Sequence, residues 1–207
     1  MLGEMLQNVR ENRPLVHCIT NYVTANDCAN LLLACGGSAI MADEMEEAEE
    51  VTSLCGGLVL NLGTPNPRKV EAMLRAGREA NRMGRPVVFD PVGVGCSAFR
   101  REASSRILEQ VQLSVIRGNA SEIAALTGGE AGRCGVDADA SAASAEKSAR
   151  LLAKKTGAVV VASGATDLVT DGEALYCVNN GHPMMRTVTG TGCQLSALTG
   201  AYVSANP

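Results

Sequence analysis

With 207 residues, 46% of them apolar, the chain is long enough to bury one substantial core, and one domain is expected rather than two. Tryptophan is absent and aromatics make up only 2%, so the core must be assembled from Val, Leu, Ile, Ala and Met, which suits a parallel sheet covered by helices. A formal charge of −4 and a pI near 5.3 argue against nucleic acid as a partner, no apolar run reaches membrane-spanning length, and small-molecule partners are expected.

In chain order, the apolar stretch that begins at Leu15 turns polar at Thr20 and Asn21, before a helical pattern through Asn30, Leu31, Leu32 and Leu33. Asn21 is either a turn residue or faces a ligand. His17 lacks an obvious metal partner and reads as a satisfied structural histidine. Residues 39–41 suggest a short strand and 57–62 a longer one. Asn66 then caps a helix with Pro67 in its first position, Val70, Met73, Leu74 and Gly77 inward, and Gly84 as its stop. The next strand, 86–90, delivers the carboxylate of Asp90 to its terminus beside Gly93 and Gly95. There it serves either as a turn aspartate or as a magnesium ligand through water.

The strand expected over 113–117 ends in Arg117-Gly118-Asn119-Ala120-Ser121-Glu122. Asn119 or Ser121 can cap the helix that follows with Glu122 in its first turn, yet the same residues also group a phosphate donor, an amide and a metal-binding carboxylate. Residues 128–140, rich in Gly, Ala and Asp, read as a loop. The stretch 142–156 reads as a helix with Leu151 and Leu152 inward and Lys154-Lys155 near its C-terminus, where the dipole favours cations. A strand over 158–163 ends at Ser163, which either closes a turn or donates to a nucleotide phosphate. Segments 167–170 and 174–178 flank Asp171-Gly172-Glu173 as an antiparallel hairpin.

Near the carboxyl end, Val188-Thr189-Gly190-Thr191-Gly192-Cys193-Gln194 leads into Leu195-Ser196-Ala197-Leu198 and places two glycines and a thiol where a helix begins. The first amides of a helix lack intrahelical partners and carry the positive end of the dipole, so this is an anion-binding arrangement, with Thr189 or Thr191 as the expected cap. A thiol at a helix N-terminus is also placed where thiolate is favoured. The bland alternatives are a capped glycine turn and an inert cysteine. Alternating strands and helices indicate a parallel α/β sheet, whose ligands gather beyond the carboxyl ends of the strands. The eight cysteines form no C-x-x-C pair and have only His17 and His182 as possible nitrogen co-ligands, which argues against zinc. A disulfide framework is not expected and no signal peptide is evident; most of the thiols read as small buried hydrophobes of a cytoplasmic protein.

Together these segments resemble the ribokinase-like superfamily and, within it, the hydroxyethylthiazole kinase family. The resemblance rests on Val16-His17-Cys18-Ile19-Thr20-Asn21, Ile40-Met41-Ala42-Asp43, Leu60-Asn61-Leu62-Gly63-Thr64, Asp90 through Gly95, Ile116 through Glu122, Gly135-Val136-Asp137, and Val188 through Cys193. It covers essentially the whole chain and implies a three-layer α/β/α fold, a mostly parallel central sheet with helices on both faces, in a single kinase domain over 1–207. It further implies Mg-ATP-dependent phosphorylation of the hydroxyl of 4-methyl-5-(2-hydroxyethyl)thiazole in thiamine salvage. By this similarity Gly190, Gly192 and the Cys193 amide form the anion hole, and the Cys193 side chain is the base. Asp90 and Glu122 organise Mg2+, with Asn119 beside them, and Arg117, Asn119 and Ser163 bind ATP. The thiazole lies near Asn21, Gly63, Gly190 and Met41, the last from a neighbouring subunit of a homotrimer. Members of the family continue for several helices beyond the anion-hole helix, so a C-terminally shortened domain with exposed apolar surface and weakened ATP binding is expected. Two alternatives remain: a catalytically silent thiazole- or nucleotide-binding protein, and a ribokinase-like kinase or dehydratase with another small substrate. A dinucleotide-binding domain is a weaker reading, because no strand leads directly into a G-x-G-x-x-G motif.

Overall fold

The computed structural model describes residues 2–128 and 142–206; most of the expected loop over 128–140 and the Gly135-Val136-Asp137 motif lie outside the described residues. One eight-stranded sheet organises the chain in the order β2-β1-β3-β4-β5-β6-β7-β8. Its strands are β1 (Leu15–Ile19), β2 (Ser38–Ile40), β3 (Gly57–Asn61), β4 (Val87–Asp90), β5 (Val115–Asn119), β6 (Val159–Ser163), β7 (Asp167–Thr170) and β8 (Leu175–Val178). Strands β1 to β6 run parallel, and β7 and β8 add the expected antiparallel hairpin at one edge. Every residue of β3 and β4 is buried, which explains why both read as continuous apolar runs rather than alternating ones.

Helices cover both faces. On one lie α1 (Leu2–Asn12), α2 (Ala25–Cys35) and α8 (Thr191–Ala205); on the other, α3 (Ala48–Ser53), α4 (Pro67–Arg82), α5 (Ala98–Gln110), α6 (Ala120–Leu126) and α7 (Ala142–Thr156). Helix α8 approaches the sheet on small residues. A Cβ on Gly200 would fall 2.5 Å from Val59 Cγ2, and Ala197, Ala201 and Ala205 bury the same face. This close contact replaces the bulk that the missing aromatics would have supplied. Phe89 of β4 is the large exception, fully buried in the opposite layer among residues such as Leu58, Leu60 and Met73.

Local signals account for most boundaries. Asn66 Oδ1 accepts the Lys69 amide at 2.9 Å, Pro67 occupies the first turn of α4, and Gly84 takes a positive φ just past its end. At α6, Asn119 caps while Glu122 reaches back to the Asn119 amide, a complete capping box. Three details differ from the sequence reading. Strand β5 continues through Asn119, because its ladder with β6 pairs Asn119 with Ser163. Leu151 is 53% exposed, and the inward positions of α7 are Ala145, Ala149, Leu152 and Ala153. Neither Thr189 nor Thr191 caps α8: the N-cap is Gly190, at φ 83°, without a side-chain bond. Cys18, Cys28 and Cys55 are buried free thiols, whereas Cys177 is exposed and Cys96 is disulfide-bonded. Helices α1, α3 and α5 are additions to the sequence reading.

Candidate active site

Parallel strands in the order β1, β3, β4, β5, β6 carry their carboxyl ends to one edge of the sheet, and α8 begins there. Pairing of Asn61 with Asp90, and of Asn119 with Ser163, aligns the polar termini side by side. The resulting crevice collects Asn21, Asn61, Gly63, Asp90, Arg117, Asn119, Glu122, Ser163 and the start of α8, from positions far apart in the chain.

Cys193 lies in the first turn of α8. Its sulfur accepts the Asn21 amide, Nδ2 to Sγ, at 3.3 Å. The orientation of that amide is determined by its surroundings: Asn21 Oδ1 accepts both the backbone N–H and the hydroxyl of Thr24, each at 3.1 Å, which turns Nδ2 toward the sulfur and toward Asn61 Oδ1 at 3.0 Å. Glycines surround this group where a Cβ would crowd its neighbours. A Cβ on Gly63 would lie 2.6 Å from the Asn21 side chain, one on Gly190 2.3 Å from Thr24 Cγ2, and one on Gly192 2.5 Å from an Arg117 nitrogen. At Gly190 the left-handed backbone adds a second reason for glycine.

Asp90 is 1% exposed and strongly asymmetric. Its Oδ2 accepts from Asn61 Nδ2 at 2.9 Å and Ser196 Oγ at 2.7 Å and faces Arg117 at 3.7 Å, whereas Oδ1 is buried without a hydrogen-bond partner. Burial pushes the carboxyl up to about 6, aided by the nearby charge of Glu122 and opposed chiefly by Arg117. Arg117 itself is half committed: one terminal nitrogen donates to Ser163 Oγ at 2.6 Å, while its Nε is buried without a partner. Ser163 Oγ in turn donates to Gly118 O at 3.3 Å. Both oxygens of Glu122 hold backbone amides, Gly93 N and Asn119 N, each at 2.8 Å. Thus the capping role weighed for Glu122 is realised, and the remaining lone pairs are what it can offer a cation.

Among the described residues no cluster of three or more His, Cys, Asp or Glu is arranged to hold a metal. Two carboxylates and an orphaned carboxylate oxygen suit a cation that keeps most of its waters and takes its other ligands from phosphates, as Mg2+ does. Met41 stands apart from the bonded network, 36% exposed and one residue beyond the edge strand β2.

The sequence reading overlooked several residues that shape the crevice. Asn61 and Ser196 hold Asp90; Thr24 orients Asn21. Arg100 donates to the carbonyls of Leu62, Val92 and Gly63, locking the β3 exit, and loses some basicity to burial. Lys69, 5% exposed, ties Thr20 O at 3.0 Å to Asp43 at 2.9 Å. Only Asn61, a polar residue closing an apolar strand, carried a signal that could have found it. His17 fits its structural reading: Nε2 donates to Ala42 O at 2.7 Å, Nδ1 meets Thr52 Oγ1 at 2.8 Å, and burial lowers its pKa.

Comparison with known proteins identifies the family and the fold. The model of the Hydroxyethylthiazole kinase family matches residues 6–206. A hydroxyethylthiazole kinase of Clostridium acetobutylicum is 51% identical over 213 residues, covering 100% of this chain and 78% of the relative. The solved hydroxyethylthiazole kinase of Pyrococcus horikoshii superposes with a TM-score of 0.88 at 43% identity, over 97% of this chain and 75% of that one. An ADP complex of Bacillus subtilis pyridoxal kinase shares the fold at a TM-score of 0.71 and 15% identity, over 93% and 84% of the two chains. A ribokinase-like three-layer α/β/α fold with these relatives leaves one conclusion: the chain belongs to the hydroxyethylthiazole kinase family.

Proposed function

We propose that this chain, acting as a single kinase domain, transfers the terminal phosphoryl group of ATP to the hydroxyl of 4-methyl-5-(2-hydroxyethyl)thiazole, yielding the monophosphate and ADP in thiamine salvage. The observation that carries the site assignment is the placement of Cys193 at the glycine-led start of α8, beside the Asn21 amide and one helical turn from Ser196, which bonds Asp90. In this reading the substrate hydroxyl attacks the γ-phosphorus, the bond to ADP breaks, and the hydroxyl proton passes to the Cys193 sulfur. Gly190, Gly192 and the Cys193 amide supply the anion hole for the equatorial oxygens. A thiolate is a weak acceptor for an alcohol proton, so alignment and phosphate electrostatics carry most of the acceleration.

Asp90 through its free Oδ1, and Glu122 beside it, fit Mg2+ and would hold it, with Asn119 alongside. When bound, Mg2+ neutralises charge on the phosphates. Arg117 and Ser163 meet the nucleotide: the guanidinium abuts Gly192, and its unpartnered Nε leaves a donor to satisfy. Thiazole packs near Asn21, Gly63 and Gly190. The chain assembles as a homotrimer in which Met41 serves a neighbour's site; the exposure of Met41 and of the apolar residues Tyr22, Val23, Leu33 and Leu54 leaves them available to a subunit contact. Among the described residues no helix is long and apolar enough to cross a membrane; the cytoplasm is the setting of the proposed reaction. The test is formation of thiazole phosphate from ATP and the thiazole alcohol, with other small alcohols as controls. No product with the thiazole alcohol, or equal turnover of all alcohols, would overturn the substrate assignment.

A further inference from the structure

The crevice has two working halves, an acceptor half around Asn21 and Cys193 and a phosphate half around Asp90. One side chain touches both. Asn61, the last residue of β3 and 1% exposed, accepts at Oδ1 from Asn21 Nδ2 at 3.0 Å and from Gly63 N at 2.9 Å, and donates from Nδ2 to Asp90 Oδ2 at 2.9 Å. Its orientation is forced. A backbone N–H must meet the amide oxygen, which leaves the NH2 group for the carboxylate.

We infer that Asn61 is a positioning residue that couples the two halves, holding Asp90 so that Oδ1 stays free while fixing the Asn21 amide that donates to Cys193. This rests on the proposed roles of Asp90 toward the metal and of Cys193 as base. The arrangement on each side is specific. Asp90 spends Oδ2 on Asn61 and Ser196, so the rotation that places Oδ1 is set by those two donors. Asn21 has two amide hydrogens, one for Asn61 Oδ1 and one for Cys193 Sγ, so losing the first partner releases the second. Partners behind a metal-binding carboxylate typically change metal affinity about 10- to 100-fold when removed. The thiol side responds because the sulfur's reactivity follows its thiolate character and the donors around it. A buried asparagine that merely satisfied its neighbours would not move both properties together.

Two readouts, neither of them turnover, separate the possibilities. The first is Mn2+ affinity in the presence of ADP, by titration calorimetry. The second is the iodoacetamide alkylation rate of Cys193, followed by peptide mass spectrometry with exposed Cys177 as an internal reference. Asn61→Ala is expected to weaken Mn2+ binding by about tenfold or more and to slow Cys193 alkylation by about threefold or more. Ser196→Ala, which removes the bond to the carboxylate and a 3.2 Å contact to the Gly192 carbonyl but none to Asn21 or to the Cys193 sulfur, changes the metal readout alone. Thr24→Val, which removes the hydroxyl bonds to Asn21 and Cys28 and leaves the Asn61 to Asp90 bond in place, changes the alkylation readout alone. Should Asn61→Ala fail to fold, Asn61→Ser retains a donor and an acceptor on a shorter stem and carries the same pair of expectations. A folded Asn61 variant that leaves either readout within twofold of the parent overturns the coupling. A parent that binds no Mn2+ with ADP overturns the Asp90 assignment and the coupling with it.

Discussion

Asp90→Asn separates the cost of the site from its use. The carboxyl is pushed from 3.8 to about 6, chiefly by burial, so the folded protein holds a proton that the unfolded chain has already released. Because the native state binds more protons between those values, stability falls as pH rises through that window. A shift of roughly two units corresponds to about 3 kcal/mol in full, and about 2 kcal/mol of it is lost between pH 4.5 and 7.5. Asparagine is nearly isosteric and still accepts from Asn61 and Ser196, but it does not titrate. Its new amide hydrogens stand where Oδ1 lacked a partner, which costs about 1–3 kcal/mol at every pH and leaves the slope untouched. The assay is urea unfolding of parent and variant at several pH values in EDTA without nucleotide. The variant's stability relative to the parent is expected to climb by about 2 kcal/mol from pH 4.5 to 7.5, while kinase activity is lost. A difference that is flat within about 0.5 kcal/mol, or that slopes the other way, refutes the reasoning.

Other perturbations test separate parts of the structure. Cys193→Ala should lower turnover while leaving ATP affinity within about twofold, and Cys193→Asp should retain activity; equal turnover of the alanine variant and the parent removes Cys193 as base. Gly190→Ala places a Cβ against Thr24 in a left-handed backbone and should lower unfolding free energy by about 1–2 kcal/mol or more. Gly192→Ala meets the guanidinium end of the Arg117 side chain rather than backbone, so its urea midpoint should stay near the parent's while ATP affinity, measured by calorimetry, falls. The reverse pattern would contradict the close-approach argument. Phe89→Ala should cost about 3–5 kcal/mol in urea unfolding, since this fully buried ring fills a core otherwise built of smaller side chains.

The α/β class, the parallel core strands, the Asn66-Pro67 helix start and the terminal hairpin follow from local chemistry, because apolar runs, caps and turn residues act within a few positions of one another. The glycine-cysteine start of α8 and the polar ends at Asp90, Arg117 and Ser163 are readable for the same reason. What the sequence could not determine is which of those ends meet. Only the strand order sets Asn61 beside Asp90, and only the packing of α2 against α8 turns the Asn21 amide onto a sulfur 172 positions away. Ser196, Thr24 and Lys69 carry no pattern of their own, since their value lies in partners supplied by other elements. Likewise the raised pKa of Asp90 belongs to no local motif; it arises because tertiary packing removes water from a carboxylate and leaves one of its oxygens without a donor.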